Sequence, residues 1–134
     1  MAQTNGVSFT EVQHCSVILM ARIVDRNGAP IRRSDIRAIE YSVFELYFRR
    51  PENLSAVRGQ EAVALDVTEV VFDSPQIGDL WTVDARGYNF RHQIYFDRNQ
   101  KFPKAGRRYE VRYEVTLSSG QQAVIRFRLR PTHT

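Results

Sequence analysis

Residues 105–130 read AGRRYEVRYEVTLSSGQQAVIRFRLR, and this stretch decides the fold. Tyr109, Val111, Tyr113, Val115 and Leu117 alternate with Glu110, Arg112, Glu114 and Thr116. After Ser118-Ser119-Gly120-Gln121, Ile125, Phe127 and Leu129 alternate with Arg126, Arg128 and Arg130. Successive side chains of a strand point to opposite faces, so each segment has one apolar and one charged face. A helix, with its period of about 3.6 residues, gathers neither set on one stripe. The stretch therefore reads as a β-hairpin closed by a tight polar turn.

The charged face of this hairpin is also the main candidate for binding. If Glu114 pairs with Arg126 and Glu110 with Arg130, cross-strand ion pairs absorb part of the charge. Arg112 and Arg128 then face each other, and like charges directly opposite favour an outside anion. Arg112, Arg126, Arg128 and Arg130 are thus the expected partner-binding residues, directed at acidic groups of another protein. A solvated sheet face with splayed side chains is the other reading of the same pattern.

At 134 residues, with 43% hydrophobic and 25% charged residues, the chain suits one globular domain with a core of its own. Seventeen of its nineteen basic residues are Arg, a bias that suits forked interface hydrogen bonds and that a GC-rich genome also produces. Residues 1–104 carry thirteen basic and thirteen acidic groups, whereas residues 105–134 carry six Arg against Glu110 and Glu114. The whole excess of +4 therefore sits on the closing hairpin. Such a charge favours an acidic partner surface without demanding nucleic acid. The basic face also lacks the interleaved aromatics of a single-strand binder.

Cys15 is the only cysteine, so an intrachain disulfide and a multi-cysteine zinc site are both excluded. That suits folding in the cytoplasm. The first thirteen residues lack the basic and apolar regions of a signal peptide, and the longest apolar run, Val17 to Ala21, is too short to cross a bilayer.

Residues 1–15 are polar and unpatterned and read as an arm before a domain at 16–134; such a terminus is disordered unless something holds it. Ser16 to Asp25 is the first expected strand, apolar on both faces from Val17 to Ala21. Asp25-Arg26-Asn27-Gly28 is a turn signal. Ile36 to Leu46 is the second strand. Its apolar parity switches between Val43 and Phe44, which predicts a bulge or bend there. Tyr47 to Gln60, with Pro51, Asn53 and Gly59, reads as a long connection, and Ala62 to Leu65 as a short strand. Asp73-Ser74-Pro75 reads as a helix start or a turn. Trp81 is expected to plug one end of the core. Tyr88 to Phe96 is a strong strand, with Tyr88, Phe90, His92, Ile94 and Phe96 on one face. Six to eight short strands with turn signals and no long helical period predict an all-β, antiparallel β-sandwich with at most one short helix. Tyr109, just after a turn at the start of the penultimate strand, resembles the tyrosine corner of immunoglobulin-like sandwiches, and an ordinary core tyrosine fits as well.

Nothing in the sequence groups a nucleophile, a base and an orienting acid. Adjacent His14 and Cys15 would point to opposite faces of a strand. His92 lies on an apolar face and reads as a hydrogen-bonded core histidine, and His133 sits in the tail. Asp66, Glu69, Asp73, Asp79 and Asp84 lack the dense alternation of a calcium loop and read as solvated acids. No enzyme activity, cofactor or metal is expected. A glycan-stacking platform of Trp81 and Tyr95 is an alternative; it requires both rings exposed and coplanar.

The segment Leu80-Trp81-Thr82-Val83-Asp84-Ala85-Arg86-Gly87-Tyr88-Asn89-Phe90-Arg91-His92, with Phe102-Pro103-Lys104-Ala105-Gly106 and the Tyr109 hairpin, resembles small Ig-like virion proteins of tailed bacteriophages. The Asp25 to Pro30 turn resembles the opening of Ig-like domains in phage baseplate and tail proteins. The resemblance implies a virion structural protein made in the host cytoplasm: a head decoration or cement protein, or a connector or tail component. Its implied partners are other virion proteins, capsid or tail, in a multi-copy or homo-oligomeric assembly, with no membrane and no cofactor. The glycan-binding sandwich on a tail or cell surface is the second reading.

Overall fold

A computed structural model describes residues 2–4, 10–12, 16–47, 50–57, 59–95 and 107–131, with the backbone alone at 2–4, 10–12, 16, 47, 50–54, 95 and 131. The strands are β1 (Ala2–Thr4), β2 (Thr10–Val12), β3 (Ser16–Ile23), β4 (Ile36–Tyr47), β5 (Arg50–Ala56), β6 (Val63–Leu65), β7 (Val71–Gln76), β8 (Tyr88–Tyr95), β9 (Arg108–Leu117) and β10 (Gln122–Pro131). One sheet has the order β1-β3-β8-β7 and the other β2-β10-β9-β4-β5, with β6 also paired to β4. All pairings are antiparallel except that of β2 with β10. This is the strand arrangement of an Ig-like β-sandwich: the first strand is split between the sheets, and the closing hairpin lies beside β4. Among the described residues eight strands follow the arm, and the arm adds two. No helix among the described residues is long and apolar enough to cross a membrane.

The core forms where the alternating faces meet. Leu19, Ala21 and Ile23 of β3 and Phe90 and Ile94 of β8 pack against Ile39, Tyr41 and Val43 of β4, Tyr109 to Val115 in alternation on β9, and Ile125, Phe127 and Leu129 of β10. Each large apolar side chain taken out of water contributes roughly 1.5–3 kcal/mol before chain entropy is counted. With a single cysteine, the sheets have no disulfide to pin them. An aromatic cluster occupies the centre instead. The Tyr113 ring lies 4.8 Å from Phe90 and 5.9 Å from both Tyr41 and Phe127. Its hydroxyl shares a 2.6 Å hydrogen bond with His92 Nδ1 across the two sheets. Burial, with Tyr41 adding to it, pushes the Tyr113 hydroxyl well above the usual tyrosine range.

Four expectations need correction. Tyr47 to Gln60 is not all connection, because β5 pairs with β4 there. Its Pro51 is tolerated because β5 is the outermost strand of its sheet. The helical turn comes earlier than expected, at α1 (Val67–Val70), where the Asp66 carboxylate accepts from the Thr68 N–H at 2.9 Å. Asp73-Ser74-Pro75 lies inside β7, an edge strand whose register with β8 is interrupted between Val71 and Gln76. No bulge occurs at Val43: Phe44 and Leu46 simply face outward, Leu46 buried and Phe44 half-buried beside the Arg112 guanidinium. The polar arm also contributes structure, since β1 pairs with β3 and β2 with β10.

Candidate interaction face

The outward positions of β4, β9 and β10 form one continuous face. On it, Glu110 lies between Arg128 on β10 and Phe44 on β4, and Arg112 lies between Arg126 and Ser42. This pairing departs from the one expected: Glu110 meets Arg128 instead of Arg130, and Arg126 meets Arg112 instead of Glu114. The cause is the turn. Leu117 N–H donates to Gln121 O at 2.8 Å and Gly120 N–H donates to Leu117 O at 2.9 Å, so the loop is Ser118-Ser119-Gly120 alone. Gly120 takes φ 91°, which closes a three-residue loop with the strand twist. Gln122 then falls opposite Thr116 and sets the ladder.

The result is a hub of three guanidinium groups around one carboxylate. Glu110 is 2% exposed. Its Oε2 accepts from Arg112 Nη2 at 2.6 Å and Nε at 3.1 Å. Arg128 Nε stands 3.5 Å from Oε1, and Arg126 Nε 3.9 Å from Oε2. The Arg112 guanidinium also lies over the Phe44 ring, 4.9 Å from its centroid. Three positive groups therefore share one negative one, and Arg126 and Arg128 stay 57% and 38% exposed at the side chain. The pair left facing each other is Arg112 and Arg126, in place of the Arg112 and Arg128 expected. Arg130 follows the Leu129–Tyr109 pair toward the end of β10 and is half-buried. At the turn-proximal end, Glu40 and Glu114 stand opposite each other, exposed.

Trp81 belongs to a different unit, in the loop between β7 and β8. It is 7% exposed, lies 5.7 Å from Tyr88, and donates through Nε1 to Asp84 Oδ1 at 3.2 Å. A ring so covered plugs the sandwich end and presents no stacking platform, which corrects its assignment as a ligand-stacking residue. Of Tyr95 only the backbone is described, opposite Ser16. Asp84 is the hub of this loop. It pairs with buried Arg22 at 2.8 Å and accepts from the Arg86 and Gly87 N–H groups at 3.0 and 3.2 Å. The Arg22 guanidinium, helped by those donors against partial burial, lowers the Asp84 carboxyl to about 2.

The residues weighed for chemistry lie apart. His92 is engaged with Tyr113 in the core, and His14, Cys15 and His133 lie outside the described residues. Asp66 caps α1, and Asp73 accepts from the Arg33 N–H at 2.8 Å. No three His, Cys, Asp or Glu side chains group as metal ligands among the described residues. An open cleft of about 900 Å³ lies between the Asp25 and Ser118 turns. Sequence reasoning missed Phe44 under Arg112 and Glu110 as a common acid. It also missed the exposure of Ile77, Leu80 and Val83; three aliphatics out of strand alternation in a stretch with Pro75, Gly78 and Asp79 were the available signal.

Fold and face together define an Ig-like β-sandwich with an arginine-rich outer sheet surface. No family model, curated protein or solved structure matches the chain.

Proposed function

We propose that this chain is a non-catalytic assembly module that docks the outer face of β4, β9 and β10 onto an acidic protein surface. In the setting its resemblance implies, it serves a tailed-phage particle as a head decoration or cement protein, or as a connector or tail component. One observation carries the reading: Arg112, Arg126 and Arg128 converge on the single carboxylate of Glu110, so among the described residues this part of the face holds more guanidinium groups than carboxylates. Forked guanidinium donors on a sheet face suit carboxylates of a partner, and such complementarity sets register and speeds encounter. The test is reversal of Arg112, Arg126 and Arg128 to Glu, read by co-sedimentation with the particle. Association should fall by at least about tenfold. Unchanged association would mean that the face is only a solvated surface.

A further inference from the structure

The loop between β7 and β8 carries the three exposed large hydrophobic side chains found among the described residues: Ile77 at 70%, Leu80 at 63% and Val83 at 47%. They do not sit on slack chain. Trp81 N–H donates to Gly78 O at 3.0 Å, the Trp81 ring is buried, and Asp84 ties the loop to Arg22. A held loop meets a partner with little ordering entropy left to lose. Between Ile77 and Leu80 stands Asp79, exposed, its side chain without a hydrogen-bond or ion-pair partner among the described residues. The loop is thus an apolar tip with one exposed carboxylate.

The hub face is its complement: an excess of guanidinium groups beside the half-buried ring of Phe44. Within one chain the two surfaces are kept apart. Phe90 pairs with Ala21 and Leu117 with Ile36, so the loop projects from the end of the sandwich that bears the Asp25 and Ser118 turns. The hub lies on the outer side of the opposite sheet, beyond a core about 10 Å thick.

We propose that the 77–83 loop of one copy docks on the Arg126–Arg128 face of the next, with Asp79 toward the guanidinium groups and Leu80 toward Phe44. This rests on the assembly reading above and names the Asp79-bearing loop of a second copy as the surface that the arginine face meets. The contact uses two different patches, so it is heterologous and propagates head to tail into a ring or a filament. A loop tip on a few side chains is a small interface; alone it is weak, and repetition in an assembly multiplies it.

Sedimentation velocity of the full chain tests this. The wild type should show reversible, concentration-dependent association at low salt that fades at high salt. An Ile77→Ser/Leu80→Ser variant and an Arg126→Glu/Arg128→Glu variant should each stay monomeric, with circular dichroism and melting close to wild type. Mixed, they should form a 1:1 dimer that grows no further, because one supplies the intact face and the other the intact loop. Self-association of the arginine variant alone, or no dimer in the mixture, overturns the proposal. A wild type that stays monomeric at every concentration also overturns it. Particle association of the Arg112, Arg126 and Arg128 reversal decides the assembly reading separately, so the two fail distinguishably.

Discussion

Arg22 is a buried cation on β3, and Asp84 is what makes its burial tolerable: the carboxylate binds it at 2.8 Å while also holding the Trp81 indole and two loop N–H groups. Removing one partner of such a pair leaves the other charged and buried. Asp84 is held at about 2, below its ordinary 3.8, so the folded state binds this proton less readily than the unfolded chain. A depressed acid contributes stability that is complete above its unfolded value and is lost as pH falls through the folded one. The window therefore runs from about pH 4 down to about pH 2. Asp84→Asn should melt lower than wild type at neutral pH, and its melting temperature should fall less steeply across that window; calorimetry at stepped pH reads both. Equal slopes would mean that Asp84 does not couple to folding. This residue was not legible in the sequence. Asp66, Glu69, Asp73, Asp79 and Asp84 look alike there, and only the fold brings one of them to a buried arginine 62 positions away.

The closing hairpin shows what alternation does and does not specify. A period of two settles which side chains face the core, and the inward set from Tyr109 to Val115 is buried throughout. It leaves open the slip by an even number of residues, because such a slip keeps every side chain on its own face. The turn resolves that choice, through a left-handed conformation at Gly120 that no periodicity reveals. Hence the strands were legible and the Glu110–Arg128 pairing was not. β5 was hidden for a related reason: Pro51 and Asn53 argue against a central strand, but an edge strand accepts them. At Gly120 a Cβ meets open space, so substitution is penalised by backbone conformation alone. Gly120→Ala should destabilise by about 1 kcal/mol in chemical denaturation, and Gly120→Asn by less, since Asn visits that region more readily. A larger loss shared by both variants would place the penalty in side-chain contacts instead.

Across the whole molecule, the arm closes what the sandwich would otherwise leave open. β1 lies along β3 at the edge of one sheet, and β2 runs parallel to β10 at the edge of the other. An arm read from composition alone is disordered, because its polar residues have no face to bury; here backbone ladders hold residues 2–4 and 10–12. An uncovered edge is a row of unsatisfied donors and acceptors that templates pairing with another chain. A chain lacking residues 1–12 should therefore melt lower than the full chain and form oligomers through β3 and β10. Those oligomers should persist at high salt, since ladder hydrogen bonds are not screened as exposed ion pairs are. Association through Asp79 and the arginine face should disappear under the same conditions. Gel filtration at low and high salt, with thermal melting of both chains, separates the two modes. A truncated chain that melts like the full one and runs as a monomer at high salt would assign β1 and β2 no protective role and leave the arm available for a partner.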